Sequence, residues 1–255
     1  GLPLCTALFQ ARSRRKSDLQ ALVAVPVQFT LGADSVEACM RFLDAAADSG
    51  HTHAKLKVGV AGCDADLARL RLIMARCPRL TLRLDANGAW TPEQALDMLS
   101  SLPRERVELI EQPVADQDLP GLLERYEGTG PRIAADESCA GLDQARALIR
   151  SGRLGAIVVK PSVLGGLLPA SALFELAIRH GVQVIISNLM ESAVGRRAIA
   201  HLAAAWPELP GPHGLATGQW LAEDMAPAAD KLEHGKLILD RRPGIGFQPA
   251  VPGSA

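Results

Sequence analysis

Three acidic residues follow three successive short apolar runs. Asp85 ends Leu82-Arg83-Leu84-Asp85-Ala86-Asn87, Glu111 ends Leu109-Ile110-Glu111-Gln112-Pro113, and Asp136 ends Ala134-Ala135-Asp136-Glu137-Ser138. They are spaced by 26 residues (85 to 111) and 25 residues (111 to 136). Another 24 residues reach Lys160, and 28 residues back from Asp85 lies Lys57, with Lys55 two places before it. Singly, an acid after a strand is an ordinary turn or helix cap. Jointly, the constant step points to one rim of a repeating fold. Three carboxylates gathered there would repel one another unless a cation sat between them. Oxygen donors without Cys or His favour Mg²⁺ or Mn²⁺ over zinc. Lys57 and Lys160, flanking such a site, have the chemistry either of a base and acid pair or of electrostatic stabilisers. A lysine beside a divalent cation is pushed down toward the range useful to a base. The substrate expected is a small carboxylate whose α-proton is removed while charge develops on its oxygens.

The elements that must position these residues are legible as alternation. Strand-like runs cover Val25–Leu31, Ala54–Val58, Leu80–Leu84, Val107–Ile110, Arg132–Ala135, Ala156–Val159 and Val182–Ile186, with a weak last one near Gly214–Ala216. Helical patterns lie between them, over Ser35–Asp48, Ala65–Ala75, Pro92–Leu102, Leu119–Tyr126, Leu142–Arg150, Pro169–His180 and Ser192–Ala205. Near-continuous apolar strands separated by helices predict a parallel sheet covered by helices, here an α/β barrel of the (β/α)7β kind. Thr91-Pro92 reads as an N-cap followed by proline at the first helical position, and Gly50 and Gly181 as helix stops. Lys55 and Lys57 alternate on one strand and face the same side.

Composition narrows the classes. The 255 residues carry a formal net charge of -1 and 4% aromatics, which gives no footprint for nucleic acid or a membrane surface. No apolar run is long enough to span a bilayer, and no signal peptide precedes the first strand. The five cysteines show no CxxC pairing, so reduced thiols and a cytoplasmic location are expected. The six histidines form no ligand spacing, and Trp90 and Trp206 read as packing residues.

The pieces Lys55-Leu56-Lys57, Leu84-Asp85-Ala86-Asn87, Ile110-Glu111-Gln112-Pro113, Ala135-Asp136-Glu137-Ser138 and Val159-Lys160-Pro161 resemble the motifs of the enolase superfamily, in its muconate-lactonising subgroup. The resemblance runs from about Val25 to Phe247. It implies that Asp85, Glu111 and Asp136 bind Mg²⁺ and that Lys57 and Lys160 face each other across the substrate. The stretches from Ser187 to Gly195 and from His213 to Gly218 are most similar to the o-succinylbenzoate synthases of menaquinone biosynthesis. In that reaction Lys57 would take the α-proton of 2-succinyl-6-hydroxy-2,4-cyclohexadiene-1-carboxylate, and loss of the hydroxyl would give an aromatic ring. Lys160 would stabilise the anion. Dipeptide epimerases of the subgroup usually show Asp-x-Asp where this chain reads Gly214-Leu215-Ala216-Thr217. An N-succinylamino acid racemase is the alternative enzyme, and a non-catalytic barrel scaffold the alternative class.

Lys55 is expected to reach the substrate. Asn87 is either a group near the metal or a turn residue, and Glu137 is expected to support the neighbourhood. Ser187 and Asn188 either bind substrate or cap the next helix. Gly165, with Gly166, either brings backbone N–H groups to an anionic arm or forms a plain turn. The family carries an N-terminal α+β capping domain. Residues 1–24 read as the remnant of its last helix and a basic connector (Arg12–Lys16), 25–230 as the barrel, and 231–255 as a tail that would pack on a cap. Members are commonly oligomers, so a homo-oligomer is expected.

Overall fold

The computed structural model describes residues 1–12, 21–32, 35–226 and 231–246. Seven parallel strands lie side by side in chain order: β2 (Phe29–Leu31), β3 (His53–Lys57), β4 (Thr81–Asp85), β5 (Val107–Glu111), β6 (Arg132–Ala135), β7 (Ala156–Val159) and β8 (Gln183–Ile186). Helices α2 (Val36–Asp48), α3 (Cys63–Arg76), α4 (Pro92–Ser101), α5 (Leu119–Arg125), α6 (Leu142–Arg150), α7 (Leu167–Arg179) and α8 (Ala193–Ala204) alternate with them. The expected alternation is present, with ends shifted by a residue or two. Two parallel bridges join the sheet's outer strands: Val27 pairs with His213, and Ser187 with Gly214. The weak eighth strand is therefore a two-residue link at His213 and Gly214, in a segment whose prolines and glycines cannot sustain a ladder.

The expected first strand, Val25–Leu31, is two strands. Ala24–Pro26 forms β1, which pairs antiparallel with β10 (Lys236–Ile238), itself paired with β9 (Lys231–Glu233). Pro26 cannot donate to a ladder, and β1 lies at the edge of that small sheet, where a proline is tolerated. The tail strands thus pack on residues 24–26 of the chain itself. Helix α1 (Leu4–Arg12) lies against α8. Arg12, expected in a solvated connector, instead donates to the Ala205 carbonyl (3.1 Å) and stacks over Trp206 (3.7 Å to the ring centroid). The rest of that basic stretch, residues 13–16, lies outside the described residues.

Local signals hold where tested. Thr91 caps α4 in a reciprocal pair with Gln94. Gly50 and Gly181 follow α2 and α7 with φ of 87° and 68°, the left-handed conformation glycine adopts without penalty. Trp90 and Trp206 are both buried. The main core lies between the strands and the helices. The apolar part of the barrel interior is small: Leu109, Ala134, Ala156, Val158 and Ile185. No helix among the described residues is long and apolar enough to cross a membrane.

Candidate active site

Strand register carries the acids and lysines to one level. Lys57 pairs with Asp85 and Asp85 with Glu111 across neighbouring parallel strands, and Asp136 and Lys160 each follow directly on β6 and β7. All five therefore stand at the C-terminal rim, where barrel enzymes hold their chemistry.

The lysines and acids form a continuous array. Lys55 Nζ donates to Glu111 Oε1 (2.6 Å) and contacts Asp85 Oδ2 (2.9 Å). Lys57 Nζ donates to the same Asp85 oxygen (2.7 Å) and to Asn87 Oδ1. Lys160 Nζ donates to Asp136 Oδ2 (2.6 Å). Burial works against the Lys55 ammonium, yet the charges of Glu111 and Asp85 more than offset it and leave its pKa raised. Asp85 is buried too, but Lys55 and Lys57 hold its carboxyl below the usual range. Glu111 behaves differently. Burial raises its carboxyl, Lys55 opposes the rise, and Asp85 and Asp136 add to it, so that it is pushed up to about 8.

That frustration tests whether a cation fits. Asp85 and Asp136 lie beside a third carboxyl, Glu111, whose ionisation burial and their two charges disfavour. A divalent cation would remove the repulsion, and the donor set suits Mg²⁺ or Mn²⁺. Among the described residues no three His, Cys, Asp or Glu side chains are gathered closely enough to hold an ion as they stand. The lysines occupy the carboxylate oxygens instead.

Asn87 adopts a left-handed conformation (φ 45°), which asparagine tolerates, and its Nδ2 donates to Glu137 Oε1 (2.9 Å). Glu137 thus holds Asn87, which holds Lys57. Gln112, also left-handed (φ 39°), accepts from the Asp136 and Ser138 backbone N–H groups and fixes the turn carrying Asp136.

A cleft of about 210 Å³ opens on this array, bordered by Lys55, Lys57, Asp85, Asn87, Asp136 and Lys160. Its other side is uncharged, with Ser187, Asn188 and Thr217 among its borders. Three larger clefts, about 560 Å³ beside α5 and α6, about 600 Å³ beside α1 and about 500 Å³ bordered by Tyr126, Pro131 and Arg153, contain none of the lysines or three acids. Of the residues expected at the site, Glu111, Glu137, Gly165 and Gly166 do not border the 210 Å³ cleft. Glu111 lies beneath it, 2% exposed, and Gly165 sits on the turn before α7. Ser187 and Asn188 are on the cleft wall, and neither caps α8, whose N-cap residue is Ser192. Sequence reading missed Gln28, Thr30, Thr217 and Trp220, which also border it. Gln28 left one trace, an amide between Val27 and Phe29.

A family model described as "Enolase C-terminal domain-like" matches residues 38–252. This chain belongs to the enolase superfamily. The o-succinylbenzoate synthase of Thermobifida fusca (strain YX) is 36% identical over 220 residues, 85% of this chain and 67% of that protein. The "Hydrophobic dipeptide epimerase" of Enterococcus faecalis (strain ATCC 700802 / V583) is 34% identical over 183 residues, 71% of this chain and 51% of that protein. The chain spans about half to two thirds of the length of these relatives. The solved muconate lactonizing enzyme from Pseudomonas putida superposes with a TM-score of 0.86 over 98% of this chain and 67% of its own, at 23% identity. It shares the fold, a superfamily barrel.

Proposed function

We propose that this chain is the catalytic barrel of a metal-dependent dehydratase like the o-succinylbenzoate synthases. Its substrate would be 2-succinyl-6-hydroxy-2,4-cyclohexadiene-1-carboxylate and its product o-succinylbenzoate. Asp85, Glu111 and Asp136 would hold the cation, which when bound neutralises the substrate carboxylate and the charge that develops on it. Lys57, freed from Asp85 and steadied by Asn87, removes the α-proton. The electron pair left behind forms the ring double bond as the C–O bond breaks, and the hydroxyl departs as water with the proton that Lys57 took. Lys160, on the opposite arm of the sheet from Lys57, faces the anion as a fixed positive charge, and the ring offers its face to that ammonium. Lys55 completes the cationic side.

The observation that carries this reading is the uncharged side of the cleft. Gly214, Ala216 and Thr217 border it where an ammonium-bearing dipeptide would require a carboxylate. Synthases and epimerases match this chain about equally well, so the choice rests on the cleft. One feature favours the epimerase reading, including an N-succinylamino acid racemase: Lys57 and Lys160 are both present on opposite arms, as acid and base on two faces would be. A scaffold without catalysis would have no use for the full charged array.

The test is ultraviolet turnover of the cyclohexadiene carboxylate with Mg²⁺. Expected is metal-dependent conversion, reduced by about 10²–10⁴-fold in Lys57→Ala, the span of a positioned base. Deuterium exchange at the α-carbon of a dipeptide or an N-succinylamino acid, with the cyclohexadiene carboxylate untouched, would replace this reading with the epimerase one.

A further inference from the structure

Gln28 is a glutamine with only 4% of its surface exposed, and that sliver opens on the cleft. Its backbone is fixed by the barrel's closing link, since its N–H donates to the His213 carbonyl (2.9 Å). Its side chain is fixed from below. Arg83, two residues before Asp85 on β4, donates from Nη1 to Gln28 Oε1 (2.8 Å). Arg83 is itself locked, with Nη1 also donating to the Pro212 carbonyl (2.6 Å) and Nε to Glu108 Oε2 (2.6 Å).

A guanidinium can only donate, so the end of the amide that meets it must be the oxygen. Turning the amide over would set two donors against each other. The Nε2 end is therefore committed to the other direction. There it stands over Gly214, where a Cβ would come within 3.4 Å of it. The surroundings are hydroxyls and amides: Thr30, Ser187 and Asn188. Asn188 has its Oδ1 on Thr217, and its buried Nδ2 has no partner. Among the described residues, the charged side chains that border the cleft are Lys55, Lys57, Asp85, Asp136 and Lys160, and its remaining border residues are uncharged.

We infer that Gln28 is a substrate-binding residue, oriented by Arg83, whose Nε2 donates to an oxygen on the part of the substrate remote from the three carboxylates. The ligand class that fits has an acceptor oxygen there and no cationic group: a keto or acyl side chain on a ring acid. This inference rests on the dehydratase reading above, whose substrate has such a side chain. Arg83 is a positioning residue that acts through Gln28.

Gln28→Glu provides the test. It keeps the shape and strengthens the contact with Arg83, but removes the donor. The steady-state constants on the cyclohexadiene carboxylate with Mg²⁺ are measured for the parent, Gln28→Glu and Gln28→Met, with thermal unfolding to confirm that each is folded. The expected result is a KM raised roughly tenfold, the order of one lost hydrogen bond, with kcat within about threefold of the parent. A KM equal to the parent's in both folded variants overturns the assignment of Gln28 while leaving the reaction standing. A fall in kcat alone also overturns it, since that would be a role in turnover and not in binding. A parent that does not convert this substrate overturns the dehydratase reading, and this inference with it.

Discussion

Ammonium groups and a divalent cation compete for the same oxygens at this rim. Lys55 and Lys57 converge on one oxygen of Asp85, and Lys160 holds Asp136. A cation seated among Asp85, Glu111 and Asp136 must displace at least part of that array, and it binds the folded chain alone because the three acids come from distant parts of the sequence. Metal should therefore stabilise the fold by mass action, by about 2.7 kcal/mol at a hundredfold excess over Kd. For a chain of this size that corresponds to a rise in Tm of about 5–10 °C. Thermal unfolding with and without Mg²⁺ measures it, and Asp136→Asn should abolish most of the rise. If the variant responds like the parent, Asp136 is not a ligand. At this scale the charged residues were legible because a barrel repeats, so chemistry at consecutive strand ends keeps a constant step. Gln28 was not, because its role depends on Arg83 and the closing link, 55 and 185 residues away along the chain. A lone amide in an apolar run has no periodicity to betray it.

The link that closes the barrel is the thinnest element in it. His213 and Gly214 stand where a full strand would lie, and His213 supplies most of the polar contacts. Its backbone N–H donates to the Pro26 carbonyl, its carbonyl accepts from Gln28, and its Nδ1 accepts from the Ile186 N–H (3.2 Å). Burial, with the Arg83 charge adding to it and a hydrogen bond to Leu209 opposing, pushes the imidazole down to about 3. The unfolded chain takes up this proton near pH 6.5, the folded chain only near 3. Stability is thus fully present above about 6.5 and falls as the pH drops toward 3, by about 1.4 kcal/mol per pH unit for this one group. Urea unfolding at pH 7, 6 and 5 should show that slope, and His213→Gln should flatten it whatever its own stability. An unchanged slope in the variant would mean that other groups carry the acid sensitivity. The sequence suggested only a weak strand here, since the segment Pro210-Gly211-Pro212-His213-Gly214 lacks the apolar run by which strands are recognised. The first strand was misread for the opposite reason. Val25–Leu31 is continuously strand-like, and only the return of β10 from 210 residues away divides it.

Across the whole molecule, the middle of the barrel is crossed by a charged network as well as by apolar packing. Below the apolar interior residues, Glu108 accepts from Arg83 Nε (2.6 Å) and from Gln183 Nε2 (2.8 Å), with His53 Nε2 at 3.4 Å. Residues of β3, β4, β5 and β8 thus meet at one carboxylate, which is largely buried. Burial raises the Glu108 carboxyl, but its hydrogen bonds and the Arg83 charge hold it well below the usual carboxylate range. Removing Glu108 leaves Arg83, 1% exposed, without its counter-charge. Breaking a buried pair in this way costs about 3–5 kcal/mol, whereas replacing both members by apolar residues of similar volume is often far less damaging. Glu108→Leu should therefore lower stability by that amount, and Arg83→Met/Glu108→Leu should be more stable than Glu108→Leu alone. Denaturant unfolding of the two variants and the parent reads the difference. The double variant also strips Gln28 of the guanidinium that orients it, so the two roles of Arg83 separate: regained stability with a raised KM would show that one side chain both ties the barrel's strands and aims a donor into its cleft. A double variant no more stable than the single one would mean that the interior is held by the geometry of the network and not by the balance of its charges.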